Sequence, residues 1–570
     1  MARLLTAALL VCVFASAQQA DLIVHNGKIV TVDSRFAIAR AMAVRGESIL
    51  AVGGEAEVMR HKGASTRVID LKGKTVLPGL MDSHTHAADA AMYEFDHEVP
   101  DMETVADVLA YIRARAKVVP DGQWITLSQV FITRLREQRY PTRAELDEAA
   151  GNHPVAFRTG PDASLNTLAL KASGIDRNTK APPGAKIELD PATGEPTGIL
   201  RSAGSLIKSV SSGRTATLDD RANRLAMLIA DYNTVGITSI ADRDSSDQDV
   251  AVYERLHETG RLNCRVFINY SIDPNAPIEK VRERILQAAR HPLHKPNNRL
   301  WMRGLKAYLD GGMLTGSAYM REPWGVSRIY SIIDPNYRGM LYIQPDRLAD
   351  VVRMALQNDL QFTAHSVGDG AVTNLVAAYE RVNREFPVRD QRPCVTHCNF
   401  MTPEAIEKMA ALGVVADLQP AWLERDGATL TKQFGDARLR FFQPYATLAR
   451  QGVTAGGGSD HMQKIGGMRS INPYNPFFGM WITLTRQPRW TDKPLHPEER
   501  LTREQAIRLY TVNNAFLTFA EKERGSLEPG KLADFIVLDR DILTCPLDQV
   551  KQIQVTQTFL GGRQVHPPAK

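Results

Sequence analysis

Cysteine is scarce in this chain: five residues in 570, at positions 12, 264, 394, 398 and 545. That excludes a disulfide-stapled scaffold, which needs a far denser set. Cys394 and Cys398 bracket His397, but no second cysteine pair accompanies them, so they read as buried thiols rather than a thiolate metal site. An excess of one charge is also missing. Lys and Arg exceed Asp and Glu by only 69 to 64, a net of +5. No Lys/Arg block is present to track a phosphate backbone, which argues against a nucleic-acid partner. Repeats, low-complexity tracts and long linkers are absent too. With 44% hydrophobic and 23% charged residues, what remains is the composition of a globular protein, long enough for one large domain and a smaller one.

Long apolar runs are confined to the start. "MARLLTAALLVCVFASAQQA" carries one positive charge at Arg3, an apolar run from Leu4 to Phe14, and the small-x-small ending Ala15-Ser16-Ala17. This is the pattern of a secretory leader, residues 1–17, cleaved before Gln18. The run falls short of the roughly 20 residues a membrane helix needs. The expectation is export to the periplasm or the medium with no membrane anchor after cleavage; a retained anchor is the alternative. Cys12 follows Val11, which is too large for a lipid-attachment site.

What the chain does contain is a recurring unit: a short β-branched or apolar run, a polar residue at its end, then a helical stretch. Eight such runs occur: "TVLPGLMDSH" (75–84), "GITSIADRD" (236–244), "NCRVFINY" (263–270), "RGLKAYLDG" (303–311), "LQFTAHSVGD" (360–369), "PCVTHCN" (393–399), "GVVADLQP" (413–420) and "GVTAGGGSD" (452–460). Amphipathic stretches lie between them. In "DRLADVVRMALQND" (346–359), Leu348, Val351, Val352 and Leu356 share one helical face. The expected fold is therefore α/β, a (β/α)8 TIM barrel.

In such barrels the βα loops at the carboxyl ends of the strands surround one mouth, where active sites sit. At those ends stand His84 and His86, Asp242, Lys306 and Asp310, His365 and Asp369, His397, Gln419, and Asp460 with His461. Residues two apart on an extended segment face the same side, so His84 and His86 can offer ring nitrogens to one ion, with Asp82 on the same parity as a partner for them. Imidazole suits zinc-like ions, and catalytic sites leave a coordination position open for water. Four histidines and an aspartate at one rim point to a mononuclear or binuclear hydrolytic centre.

The ordered motifs "VLPGLMDSHTH", "HPVAFRTG", "TGEPTGIL", "GITSIAD", "LKAYLDGG", "AHSVGDGAV", "VTHCN", "GSDH" and "LADFIVLDRD" resemble the amidohydrolase superfamily. Within it they are similar to amidohydrolase family 3, the group of YtcJ-like hydrolases and N-substituted formamide deformylases. The resemblance runs from residue 21 to beyond residue 525. It implies a divalent metal, Zn2+ foremost, as one or two ions. His84 and His86 would hold the first ion and His365 and His397 the second, with Asp460 both ligand and general acid/base. Lys306 would be carboxylated to a bridging carbamate; with a single ion, Lys306 stays unmodified and His365 or His397 turns to substrate. The implied reaction is hydrolysis of a C–N bond in an amide or cyclic amide of a small-molecule substrate. Phosphate esters are disfavoured, because no Arg accompanies the ligands. A lactone or ester hydrolase on the same centre, or a metal-free binding or scaffold homologue, are the alternatives.

Residues 21–75 and 521–568 read as short Gly-broken strands that can pair into one β-sandwich, its two halves flanking a barrel over 76–520. Gly530 and Asp534 read there as turn and solvent-facing positions. The segment of about 93–235 reads as an insertion after the first barrel strand, lying over the mouth and containing a helix around "METVADVLAYIRARAKV". Asp162, Asp310, Gln419, Trp422 and His461 are the candidate substrate contacts. Two features depart from the family pattern: Gly160-Pro161-Asp162-Ala163-Ser164 in place of an Asp-Gly-His segment, and Trp422 in place of a His. With "NPYNPFFGMW" (472–481), they suggest a hydrophobic or aromatic substituent on the substrate. A homo-oligomer is compatible with this composition.

Overall fold

The computed structural model describes residues 18–182, 185–209, 214–295 and 297–568. The leader read at residues 1–17, with Cys12, lies outside the described residues. Eight parallel strands run in chain order around one sheet: β1 (Leu80–Thr85), β2 (Ile237–Ser245), β3 (Arg265–Ser271), β4 (Leu300–Tyr308), β5 (Gln361–Ser366), β6 (Cys394–His397), β7 (Val415–Leu418) and β8 (Ala455–Gly457). The seam between β8 and β1 closes just past the end of β8. Asp460 N donates to His84 O and His86 N donates to His461 O, both at 2.8 Å. Glycine is required at this seam: a Cβ on Gly458 would stand 2.7 Å from the His84 backbone nitrogen. Asn514 Nδ2 secures it, donating to Met81 O and Gly457 O at 2.6 and 2.8 Å.

The helices cover the barrel because their apolar positions recur at helical spacing. In the helix Pro345–Gln357, Leu348, Val351, Val352 and Leu356 are all buried against the barrel layer, each such side chain contributing about 1.5–3 kcal/mol. Cys264, Cys394 and Cys398 are buried free thiols.

The apolar run at 75–84 does not form one strand. It divides at Gly79, whose Cβ would meet Thr238 at 2.2 Å: Thr75–Pro78 pairs with Phe535–Leu538 in a terminal sheet, and Leu80 begins β1. That six-stranded sheet mixes strands from both chain ends. It shares a core with a four-stranded sheet formed by residues 20–70, where Leu22, Val24, Met42, Val76, Phe535 and Phe559 meet. Asp534 is not solvent-facing. Its carboxylate is buried and accepts from Arg265 Nη2 on β3 at 2.8 Å, tying sandwich to barrel.

Between β1 and β2 the chain forms a separate five-stranded sheet spanning residues 125–201, with the helix Val105–Ala116 beside it. Thr104 and Asp107 cap that helix reciprocally. The helix Leu218–Thr234, inside the stretch read as insertion, packs instead in the barrel layer through Leu225, Leu228 and Tyr232. Among the described residues no helix is long and apolar enough to cross a membrane.

Candidate metal centre

The carboxyl ends of β1, β5 and β6 and the loop after β8 bring four imidazoles and a carboxylate together. Ring centroids of His86 and His84 lie 5.2 Å apart, those of His84 and His397 5.0 Å, and those of His397 and His365 4.4 Å. His84 Nε2 and His86 Nε2 are 3.3 Å apart, and Asp460 Oδ1 lies 3.3 and 3.1 Å from them. Backbone strain accompanies the arrangement. His397 and Asp460 adopt positive φ of 81° and 55°, a region that non-glycine residues enter at a cost and that gathers at functional sites.

Partners on the far side of each ring assign the tautomers. His84 Nδ1 donates to Asp417 Oδ2 at 2.9 Å, and His397 Nδ1 donates to Gln419 Oε1 at 2.7 Å. Each Nε2 is then left as an acceptor. His365 Nε2 approaches the Gly311 carbonyl at 3.3 Å. Burial holds His84 well below the ordinary histidine range, helped by the charge of Lys306. Burial and then His365 do the same for His397, and burial with Lys306 pushes His365 down to about 3. All three are neutral at physiological pH, the form that ligates metal. His86 differs: burial lowers it, but the hydrogen bond and charge of Asp460 outweigh this and leave it raised.

Two facing imidazole nitrogens and a carboxylate oxygen, all acceptors once neutral or ionised, repel unless a proton or cation lies among them. His84, His86 and Asp460 therefore fit a divalent metal ion, each able to turn one ligand atom toward a common point. Lys306, on β4, is buried and has no carboxylate at ion-pair distance among the described residues. Its Nζ instead stands 4.6 Å from the centroid of the Tyr308 ring. Burial pulls its pKa below the ordinary lysine value, which favours the free amine that can add CO2.

His86, Lys306, His365, His397 and Asp460 line a cavity of about 420 Å3, whose walls also include Phe131, Met313, Leu314, Trp422 and Met462, while His84 is fully buried. Trp422 stacks on His397 at 4.8 Å. Of the other expected substrate contacts, Asp310 also lines the cavity, whereas Asp162, Gln419 and His461 do not. Gln419 is behind His397 and serves to orient it. Asp162 is buried beside the cavity wall, where Arg201 Nη1 and Ser202 N donate to it at 2.8 and 2.9 Å. His461 is buried with Nδ1 at 2.7 Å from the Tyr232 hydroxyl and Nε2 against the Gln463 and Lys464 carbonyls, so it anchors a loop. Asp310 reaches the wall, but its carboxylate accepts from the backbone N–H groups of Tyr319, Val367 and Gly368, clamping two βα loops. Each of these side chains is held by a buried group that needed a partner: an imidazole for Gln419, a guanidinium for Asp162, carbonyls for His461 and backbone N–H groups for Asp310. Asp82 likewise bonds the backbone nitrogens of His84 and Ser459, both at 3.0 Å, rather than an imidazole. Ala163, Tyr474, Phe477 and Phe478 are core and Trp481 packs half-buried against it; none of them is cavity wall.

Asp417 takes the part expected of Asp82. Besides His84, it accepts from Ser83 Oγ at 2.6 Å, with Arg243 Nε at 3.1 Å. A signal was available in the sequence: Asp417 lies two residues before Gln419 on the seventh run, hence on the same face. Tyr308 and Asp244, also at the site, lie within the runs 303–311 and 236–244, but nothing in those runs set them apart from their neighbours.

An eight-stranded parallel barrel with this donor set at its carboxyl rim is the architecture of a metal-dependent hydrolase. A model of the amidohydrolase family matches residues 67–566, and the chain belongs to that family, as a hydrolase of carbon–nitrogen bonds. It is 29% identical to the N-substituted formamide deformylase of Arthrobacter pascens, over 96% of this chain and 98% of that protein. It is 25% identical to the putative amidohydrolase YtcJ of Bacillus subtilis (strain 168), over 90% and 93%. Among solved structures, an uncharacterized metal-dependent hydrolase from Pyrococcus furiosus shares the fold. Its TM-score is 0.66 at 22% identity, covering 92% of this chain and 100% of that one.

Proposed function

We propose that the protein hydrolyses an amide or cyclic amide whose substituent is hydrophobic or aromatic, at a Zn2+-class centre of one or two ions. The observation that carries this reading is the approach of His84 Nε2, His86 Nε2 and Asp460 Oδ1 to within 3.3 Å of one another at a cavity floor. His84, His86 and Asp460 would hold the first ion; His365, His397 and a carboxylated Lys306 would hold a second. When bound, such an ion lowers the pKa of water toward about 7 and polarises a carbonyl.

The chain's own groups do the rest. Asp460 Oδ2, whose side-chain contact is Asn472 Nδ2 at 3.3 Å, takes the proton of the attacking water and returns it to the leaving nitrogen. Burial raises this carboxyl above its ordinary range, which suits a group that must carry a proton in mid-cycle. An amine leaves only once protonated, so Asp460 favours C–N cleavage over the lactone or ester alternative. Phe131, Met313, Leu314 and Trp422 exclude water and seat the apolar substituent. Export through residues 1–17 belongs to the same reading, supported by Arg3, the apolar run and Ala15-Ser16-Ala17.

A screen of N-substituted formamides, other amides, cyclic amides and lactones tests it, run before and after metal chelation and again after adding Zn2+. Metal-dependent amide cleavage is the expected result. Cleavage of lactones alone, or turnover indifferent to chelation, overturns it. Intact-mass analysis of Lys306-containing protein reads the carbamate directly.

A further inference from the structure

Lys306 is the only Lys or Arg side chain lining the catalytic cavity among the described residues, and it lies at the floor beside the histidines. The carboxylates are more numerous. Besides Asp460 and the clamped Asp310, the walls carry Asp89 and Asp244. Asp89 follows His86 by less than one helical turn. Its side chain is solvent-exposed and forms neither hydrogen bond nor ion pair among the described residues; partial burial and Asp249 raise its carboxyl, and His86 and then Arg221, which does not line the cavity, oppose this through space. Asp244 accepts from the Tyr308 hydroxyl at 2.8 Å through Oδ2, while Oδ1 has no hydrogen-bond partner. Its backbone is held at φ 78°, so the position is maintained against strain. Aromatic surface completes the wall: Tyr308, 42% exposed, with Phe131, Tyr342 and Trp422.

A carboxylate-bearing substrate entering this cavity would lose hydration without meeting a side-chain cation at the wall, and would face Asp89 and Asp244. A neutral substrate gains from the apolar surface and draws nothing from the two carboxylates. An ammonium group gains on both counts, from the two carboxylates and from the negative faces of the rings. We propose that the cavity selects amides bearing a cationic ammonium group beyond the scissile bond, with Asp89 and Asp244 as the residues that set the preference. This rests on the C–N hydrolase reading and names the charge class of its substrate.

Three formamides on one five-carbon chain test it: (5-formamidopentyl)trimethylammonium, its neutral tert-butyl isostere, and N-formyl-6-aminohexanoate. The quaternary group cannot ligate metal. With the metal-loaded enzyme, kcat/KM for the cation should exceed that for the carboxylate by about tenfold or more, with the neutral compound between. Asp89→Asn and Asp244→Asn should each shrink that ratio by at least about threefold, and rising salt should shrink it further. Equal turnover of all three, a preference for the carboxylate, or a ratio unmoved in both variants overturns the proposal. If no amide in the set is cleaved, the hydrolase reading fails by itself. Calorimetric binding of pentyltrimethylammonium then still decides the charge preference: weaker binding by Asp89→Asn than by the parent protein upholds it, and equal binding sinks it.

Discussion

His84 Nδ1 lies 2.9 Å from Asp417 Oδ2, and both residues are fully buried although 333 positions separate them. The contact joins β1 to β7 and fixes which nitrogen of His84 faces His86 and Asp460. Burial raises the Asp417 carboxyl above its ordinary range, and the charge of Arg243, whose Nε is 3.1 Å from the same oxygen, opposes that rise.

Asp417→Asn removes the charge that holds the His84 tautomer. Metal affinity should fall by about 10- to 100-fold while the circular-dichroism spectrum stays that of the parent. Titration with Zn2+ against a competing chelator measures this, and unchanged affinity would show that Asp417 is purely structural.

His86→Ala and Asp460→Asn separate holding the ion from moving the proton. Both should abolish detectable turnover, the second by at least about 10²-fold. Metal content, read by elemental analysis, should collapse in His86→Ala and persist in greater part in Asp460→Asn. Retained activity in either variant would count decisively against the mechanism.

Trp422 stacks on His397 and forms cavity wall. Trp422→Ala should raise KM for aryl amides by about tenfold, with a smaller change in kcat, because the lost contact serves ground and transition states alike. An equal fall in kcat for small and aryl amides would instead mean that the ring acts by positioning His397.

Asp534 supplies the pH dependence. Burial alone would raise its carboxyl, but the charge and hydrogen bonds of Arg265 outweigh burial and leave it below the ordinary aspartate range. A depressed carboxyl stabilises the fold above the unfolded pKa, near 3.9, and that contribution is lost as pH falls through the folded value. Asp534→Asn leaves the buried Arg265 with only the half-exposed Glu47 carboxylate, 3.4 Å from Nη2, as a charged partner, so at pH 7 it should cost up to about 3–5 kcal/mol. In thermal melts the gap between parent and variant should narrow below about pH 4; a gap constant across that range would refute the assignment.

Legibility differed between strands and side chains. The helix at 345–357 and the eight strands were readable because their patterns are local: period, flanking glycine and a polar end. His84 and His86 were readable because two residues on one strand share a face whatever surrounds them. The five-stranded sheet of the insertion was not, since its strands are short and pair across distant segments. Asp162, His461 and Gln419 stood in the right places along the chain, yet each turned toward a guanidinium, a carbonyl or an imidazole that only folding supplied.

The sequence by itself determined a barrel, its rim and a set of metal-capable donors, because side-chain parity and hydrophobic period are properties of neighbouring residues. Tertiary structure alone decided which polar groups face the cavity and which are consumed in holding it. A buried donor or acceptor must find a partner, and the partners of Asp417, Asp310 and Asp534 come from strands and loops far away in the chain.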